Sequence, residues 1–272
     1  MKKLTAIVIC MAIILTAIPF YAFAAEKYTE GLYTYTVNEK NNAVIVAADS
    51  SVEGDVVIPD FLGGYKVVWI QKHSFKDNTE ITGVTIGKNL SWIQYEAFEG
   101  CVNLAKFTVD EENTVLSTDE YGVLYSKNKD ALIYFPPANG IENYTIPDST
   151  ERIGAKFHDC KSLKTLTIPE SVERIDTNFS QCTALTDIYY GGIERKWNTL
   201  DGSVFGLPDS VTVHFREENI KDKMEQAKYE FGAFMGPIMF FGTYFIIGLP
   251  FAPIALFLAF LQDLGWISVS PY

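Results

Sequence analysis

The stretch IPDSTERIGAKFHDCKSLKTLTIPESVERI, residues 146–175, holds one full structural period and the start of the next. Ile146-Pro147-Asp148-Ser149 returns as Ile168-Pro169-Glu170-Ser171, and between them lie Phe157, Cys160, Leu163, Leu166 and Ile168. Leu166 and Ile168 alternate with polar residues, as a strand with one buried face requires. The proline that follows ends the strand's hydrogen bonding, and the serine can cap the next turn.

The same block recurs outward along the chain: SFKDNTEITGVTI from Ser74, AFEGCVNLAKFTV from Ala97 and NFSQCTALTDIYY from Asn178. Its phenylalanines stand at 75, 98, 157 and 179, and each is followed three residues later by cysteine, or by Asn78 in the first block. A unit of one strand and a return turn cannot bury its own face. Stacking units with strands about 4.8 Å apart closes a continuous core. The phenylalanines are then expected to form an aromatic spine, with the cysteines in a column beside it. The long interval from Phe98 to Phe157 reads as one repeat plus an insertion. Val123, Tyr125, Leu132 and Tyr134 alternate about Lys127–Asp130 as a β-hairpin with a polar turn.

These blocks resemble the BspA-like (treponemal-type) leucine-rich repeats of a bacterial surface protein family. The resemblance extends from about residue 28 to 215, with Thr150 and Asn78 departing from the usual residues. It implies a mainly β fold, a leucine-rich-repeat solenoid with a β-hairpin cap and a β-hairpin insertion, to which the apolar run near the C-terminus adds a transmembrane helix. The expected organisation is a signal peptide (1–24), an N-terminal β cap (28–58) and repeats (59–215). Within the repeats lie the hairpin insertion (about 110–145) and a C-terminal cap (about 188–215). A charged juxtamembrane helix (216–230) and a membrane segment (231–261) follow.

The two ends rest on composition rather than resemblance. Hydrophobic residues make up 48% of the 272, but two apolar runs carry much of that share. Lys2 and Lys3 precede the apolar run Leu4–Ile18, and Ala22-Phe23-Ala24 supplies a small-x-small cleavage pattern. From Phe231 to Leu261 there is no charge, which is long enough for one span of the roughly 30 Å hydrocarbon core. Pro250 and Pro253 break that run, and the basic residues Arg216, Lys221, Lys223 and Lys228 precede it, against the positive-inside expectation. A single span with the tail inside and a re-entrant hairpin both remain open.

A net charge of −12, which becomes more acidic once Lys2 and Lys3 are removed, argues against nucleic acid as a partner. The odd number of mature cysteines (Cys101, Cys160, Cys182), all in one repeat slot, argues for stacked buried thiols, and no disulfide is expected. His73, His158 and His214 are scattered, so neither a metal site nor a cofactor is expected. The neighbouring pair His158-Asp159 occupies a slot that ordinary polar turn residues fill in the other blocks, and no catalytic residues are assigned. Repeat register instead lines up Trp69, Trp92, Arg152 and Arg174 on an outward column, residue types enriched at binding hot spots and sugar-stacking platforms. A solvated, salt-bridged face is an equal reading of the arginines. The functional expectation is a membrane-anchored cell-surface protein that binds an extracellular protein or carbohydrate and catalyses nothing. The alternative is a structural scaffold of the cell envelope with no specific ligand.

Overall fold

The computed structural model describes residues 26–154, 157, 159–179, 181–226 and 228–230. The signal-peptide reading (1–24), the apolar segment 231–261 and His158 lie outside the described residues. Among the described residues no helix is long and apolar enough to cross a membrane. The chain divides into two units, Met1–Arg216 and Glu217–Tyr272. In the second, residues 220–226 are helical, and Asn219 opens the helix through a reciprocal cap. The Asp222 N–H donates to Asn219 Oδ1 at 3.1 Å, and the Asn219 N–H donates to Asp222 Oδ2 at 2.8 Å.

The first unit is built of stacked strands. One face carries the strands that close each repeat, in two parallel sheets. Gly54–Ile58, Ile81–Ile86 and Lys106–Val109 form the first. Asn143–Thr145, Thr165–Ile168, Asp187–Tyr190 and Thr212–Phe215 form the second. A second face carries the other strand of each coil, again in two sheets. Each of these begins antiparallel and continues parallel. Lys27–Glu30, Tyr33–Val37 and Asn42–Ala48 lead into Tyr65–Ile70 and Trp92–Ile93. Leu116–Thr118, Leu124–Ser126 and Ala131–Tyr134 lead into Arg152–Ile153, Arg174–Asn178 and Asp201–Phe205.

The same order of elements therefore occurs twice, and the sequences follow it. NAVIVAADSSVEGDVVIPD (42–60) and DALIYFPPANGIENYTIPD (130–148) align without a gap, sharing Ala43/Ala131, Ile45/Ile133, Ile58/Ile146, Pro59/Pro147 and Asp60/Asp148. The turns that precede them also match. Asn41 and Lys129 both adopt a left-handed backbone, at φ 56° and 58°. Their N–H groups donate to Asn38 O and Ser126 O, each at 2.9 Å. The insertion is thus a second cap within the chain.

That second cap corrects the spine. The interval from Phe98 to Phe157 contains a coil that the block pattern hides. Phe135 stacks on Phe157 at 4.9 Å, and Phe157 on Phe179 at 5.1 Å. Phe75 and Phe98 form a separate stack at 4.7 Å, which ends edge-on against Tyr134 at 6.0 Å. Tyr144 and Ile146 then fill the strand slots, with Tyr144 in register with Leu166. The hidden coil has Pro136-Pro137 and Ala138 where its neighbours carry the polar turn and cysteine, so the Phe-x-x-Cys signature is missing.

Two hydrophobic cores result, and the hairpin is the wall between them. Leu124 and Tyr134 pack with the N-terminal core; Val123, Tyr125, Leu132 and Phe135 pack with the C-terminal one. Leu124 and Tyr125, successive on one strand, face opposite cores, and the bulge between their pairings with Tyr134 and Leu132 lets those two residues part in the same way. Fully buried Asn113 launches the wall with all four of its hydrogen-bonding positions used. Its Nδ2 donates to Gly87 O and Leu90 O at 2.9 Å, and its Oδ1 accepts from the Val115 and Leu116 N–H groups at 2.9 and 2.8 Å. Gly122 (φ 75°) lets the hairpin lie on the repeat strand, where a Cβ would come within 2.7 Å of Lys106 Cβ. Tyr144 Oη donates to Asp119 Oδ2 at 2.6 Å and contacts Tyr125 Oη at 2.6 Å, tying the next coil to the wall.

The two departures from the repeat have local reasons. Thr150, fully buried, donates its hydroxyl to Lys129 O at 2.9 Å, next to the left-handed turn. Asn78 donates to Val52 O at 2.8 Å, reaching from the first coil to the N-terminal cap.

Phe157 is fully buried between two stacked rings, whereas Trp92 is 61% exposed. Phe157→Ala should therefore lower unfolding free energy by about 3–5 kcal/mol, and Trp92→Ala by less than about 0.5 kcal/mol. Equal losses in chemical denaturation would contradict the inward and outward assignment.

Candidate binding surface

Strand alternation alone decides which side chains reach solvent, and the register then sets which of them meet. Trp69 pairs with Trp92, and Arg152 with Arg174. The second cap puts the two pairs in different sheets, so the expected four-residue column is two separate pairs. Trp69 and Trp92, with Val68 and Ser91, line a shallow hollow of about 310 Å³. Trp92 is widely exposed. Trp69 is half-buried, and its indole N–H is buried without a hydrogen-bond partner. Ser91 Oγ donates to Val68 O at 3.1 Å, holding the two strands together at the floor of the hollow.

The arginine pair is engaged by carboxylates. Arg174 meets Asp176 at 2.5 Å and Asp201 at 2.6 Å, and Arg152 meets Asp130 at 3.3 Å. The hydrogen bond that Arg174 donates to Asp176, with the Asp201 carboxylate beside it, holds the Arg174 pKa above its ordinary value. Exposed pairs of this kind contribute about 0–1 kcal/mol each. The salt-bridged reading of Arg152 and Arg174 fits this geometry, and the aromatic pair is the better-formed surface.

Three further groupings emerge only from the fold. An apolar hollow of about 440 Å³ at the N-terminal cap includes Leu32, Val57 and Phe61, all exposed. On the far strands, His214 Nε2 lies 2.7 Å from Asp187 Oδ1, and the imidazole stacks on Tyr189 at 4.5 Å. Hydrogen bonds from His214 and Thr186 lower the Asp187 pKa. His73, Glu96 and Glu99 converge across two adjacent coils. No sequence motif marks any of the three. Each depends on residues that are distant along the chain and neighbours only through stacking.

All three cysteines are buried, Cys101 in the N-terminal core and Cys160 and Cys182 in the C-terminal one, and the Cys101 and Cys182 thiols serve the backbone. Cys101 Sγ donates to Phe75 O at 3.1 Å and Cys182 Sγ to Phe157 O at 2.8 Å, in each case the spine residue one coil back. Burial pushes the Cys101 thiol from 9.0 up to about 12. The adjoining Cys182 thiol and burial raise the Cys160 pKa as well. At Cys101 and Cys160 the thiolate, the reactive form, is thus suppressed at neutral pH.

The family model described as "BspA type Leucine rich repeat region" matches in six copies, over residues 59–127 and 134–224, well over half of the chain. The chain belongs to the BspA-type leucine-rich repeat family. Among solved structures, this BspA-type protein is similar to a leucine-rich repeat protein from Eubacterium ventriosum. Identity is 15%, coverage is 72% of this chain and 79% of that one, and the TM-score is 0.41. It is also similar to the T. pallidum leucine-rich repeat protein TpLRR, at 16% identity, 74% and 95% coverage and a TM-score of 0.39. A Bacteroides capillosus leucine-rich repeat protein shows 23% identity, 61% and 99% coverage and a TM-score of 0.33. No curated protein matched.

The buried Cys101 thiol predicts how this protein responds to alkali. A thiol whose folded pKa is raised keeps its proton in the native state after the unfolded chain has lost it. Its stabilising contribution is complete below pH 9 and is lost as pH rises through about 12. Thermal melts should show stability falling across that window. Cys101→Ala should be less stable at neutral pH, yet show a shallower alkaline decline. A parallel decline in both proteins would remove the thiol from this account.

Proposed function

We propose that this is an exported cell-surface repeat protein that binds an extracellular protein or glycan through the Trp69–Trp92 face and performs no catalysis. The observation that supports it most directly is Trp92. A large aromatic ring stands 61% exposed beside a second tryptophan, on a strand scaffold fixed by main-chain pairing. Exposed, rigidly mounted aromatic rings are enriched where binding energy concentrates, in contacts with proteins and as platforms for sugars. The acidic charge disfavours anionic polymers as ligands. The His214–Asp187 pair lies on a partly exposed strand face, with its imidazole stacked on a tyrosine, which suits a structural ion pair better than a reaction centre.

The test is a binding screen of the full-length chain against extracellular matrix proteins, mucins and glycans. At least one ligand is expected, and Trp92→Ala should weaken it tenfold or more while leaving the thermal midpoint within about 1 °C. Binding indifferent to Trp92→Ala and Trp69→Ala would move the site elsewhere. Failure of every ligand on a folded protein would favour the envelope-scaffold reading.

Residues 231–261 are proposed to tether the chain, with the repeats outside, because long domains translocate largely regardless of flanking charge. Cysteines introduced at Ser210 and Ser270 and probed on intact cells with an impermeant thiol reagent test this. Labelling at 210 alone is expected. Labelling at both would indicate a re-entrant hairpin, and recovery of the full chain from the medium would rule out the tether.

A further inference from the structure

We propose that His73, Glu96 and Glu99 form a divalent-cation site of zinc-like preference, independent of the tryptophan face. The three come from consecutive coils. His73 stands two residues before Phe75, and Glu96 and Glu99 flank Phe98, the next ring of the spine. His73 Nε2 lies 3.3 Å from Glu96 Oε2 and 3.2 Å from Glu99 Oε2. One ligand atom from each of the three residues falls within 4.8 Å of the other two. Two donors on a tetrahedral ion with bonds of about 2.0–2.1 Å stand about 3.3–3.4 Å apart, so both His–Glu separations already suit such an ion. One imidazole and two carboxylates is a donor set for zinc and its borderline neighbours. The imidazole argues against calcium and magnesium, which take oxygen. Three protein ligands on a partly exposed turn leave a fourth position for water.

The backbone holds this arrangement before any ion arrives. The His73 N–H donates to Glu96 O at 2.9 Å, Phe75 N–H to Ala97 O at 2.9 Å and Asp77 N–H to Glu99 O at 2.7 Å, a coil-to-coil ladder directly beneath the three side chains. His73 adopts a left-handed backbone at φ 63°, a conformation uncommon outside glycine, asparagine, aspartate and histidine. The pocket already draws cations. Lys72 Nζ lies 3.6 Å from Glu96 Oε2, and Lys76 Nζ 3.4 Å from Glu99 Oε2. Both lysine side chains are more than 40% exposed, so a divalent ion displaces only weak, solvent-screened surface pairs.

The test is titration of the untagged full-length chain, in a mild non-ionic detergent and a non-chelating buffer at pH 7.5, with ZnCl₂ followed by calorimetry. One equivalent per chain is expected, with no displacement by a tenfold excess of Ca²⁺ or Mg²⁺. His73→Asn retains a residue that tolerates the left-handed turn while removing the imidazole, and should weaken binding at least tenfold. Glu99→Gln should also weaken it, Lys76→Ala should leave it equal or tighter, and His214→Ala should leave it unchanged. Thermal melts without metal verify that each variant is folded. Absence of saturable binding in the parent, an unchanged titration in His73→Asn, or a loss in His214→Ala would each overturn the assignment.

Discussion

A coil of this chain contributes one short strand to each face and a few apolar side chains, too little to exclude water from either side. Its strand N–H and C=O groups find partners only on the coil before and the coil after. Every other feature depends on that stacking constraint. Phenylalanine recurs because a flat ring can stack on its own copy one coil along, as Phe135, Phe157 and Phe179 do at about 5 Å. Cysteine recurs because a small, weakly donating side chain fits the slot and reaches the carbonyl of the preceding spine residue. In the first coil, whose neighbour is the N-terminal cap, Asn78 takes that slot and its longer amide reaches Val52 O.

The repeating parts of this design were legible in the sequence. The alternation in Leu166 and Ile168 identified strands with one buried face, and the common slot of Cys101, Cys160 and Cys182 pointed to a buried column. The same parity turned Trp92 outward. What escaped notice followed from substitutions at the signature positions. Pro136-Pro137 and Ala138 erased the Phe-x-x-Cys mark of the coil that begins at Phe135, although Tyr144 and Ile146 kept its strand slots. Parity also says nothing about depth, so Trp69, on the same side as Trp92, lies half-buried with its indole N–H enclosed. The His73, Glu96 and Glu99 cluster was beyond reach for a different reason. It depends on a left-handed turn and on side-chain reach between coils, and neither has a periodic signal.

Among the described residues, the Trp69–Trp92 hollow and the hollow at the N-terminal cap lie on open strand faces. Such a scaffold favours recognition through rings and charges mounted on fixed main chain, with little reorganisation on binding. Variation at outward positions leaves the core untouched, because those side chains make no contribution to spine or ladder. Tryptophans in one half and ion-paired arginines in the other share a repeat slot but meet different neighbours, so a single scaffold presents two chemically distinct faces.

The second cap has a mechanical meaning. A stack of coils pulled from its ends peels one coil at a time, because each coil holds chiefly to its neighbours. Each coil of 22 residues that lets go releases roughly 75 Å of chain at full extension. Peeling that begins at either end runs up against the antiparallel hairpin at residues 116–134, where the ladder is interrupted and the two cores part company. The hairpin therefore divides the molecule into two stacks, each with its own core to lose.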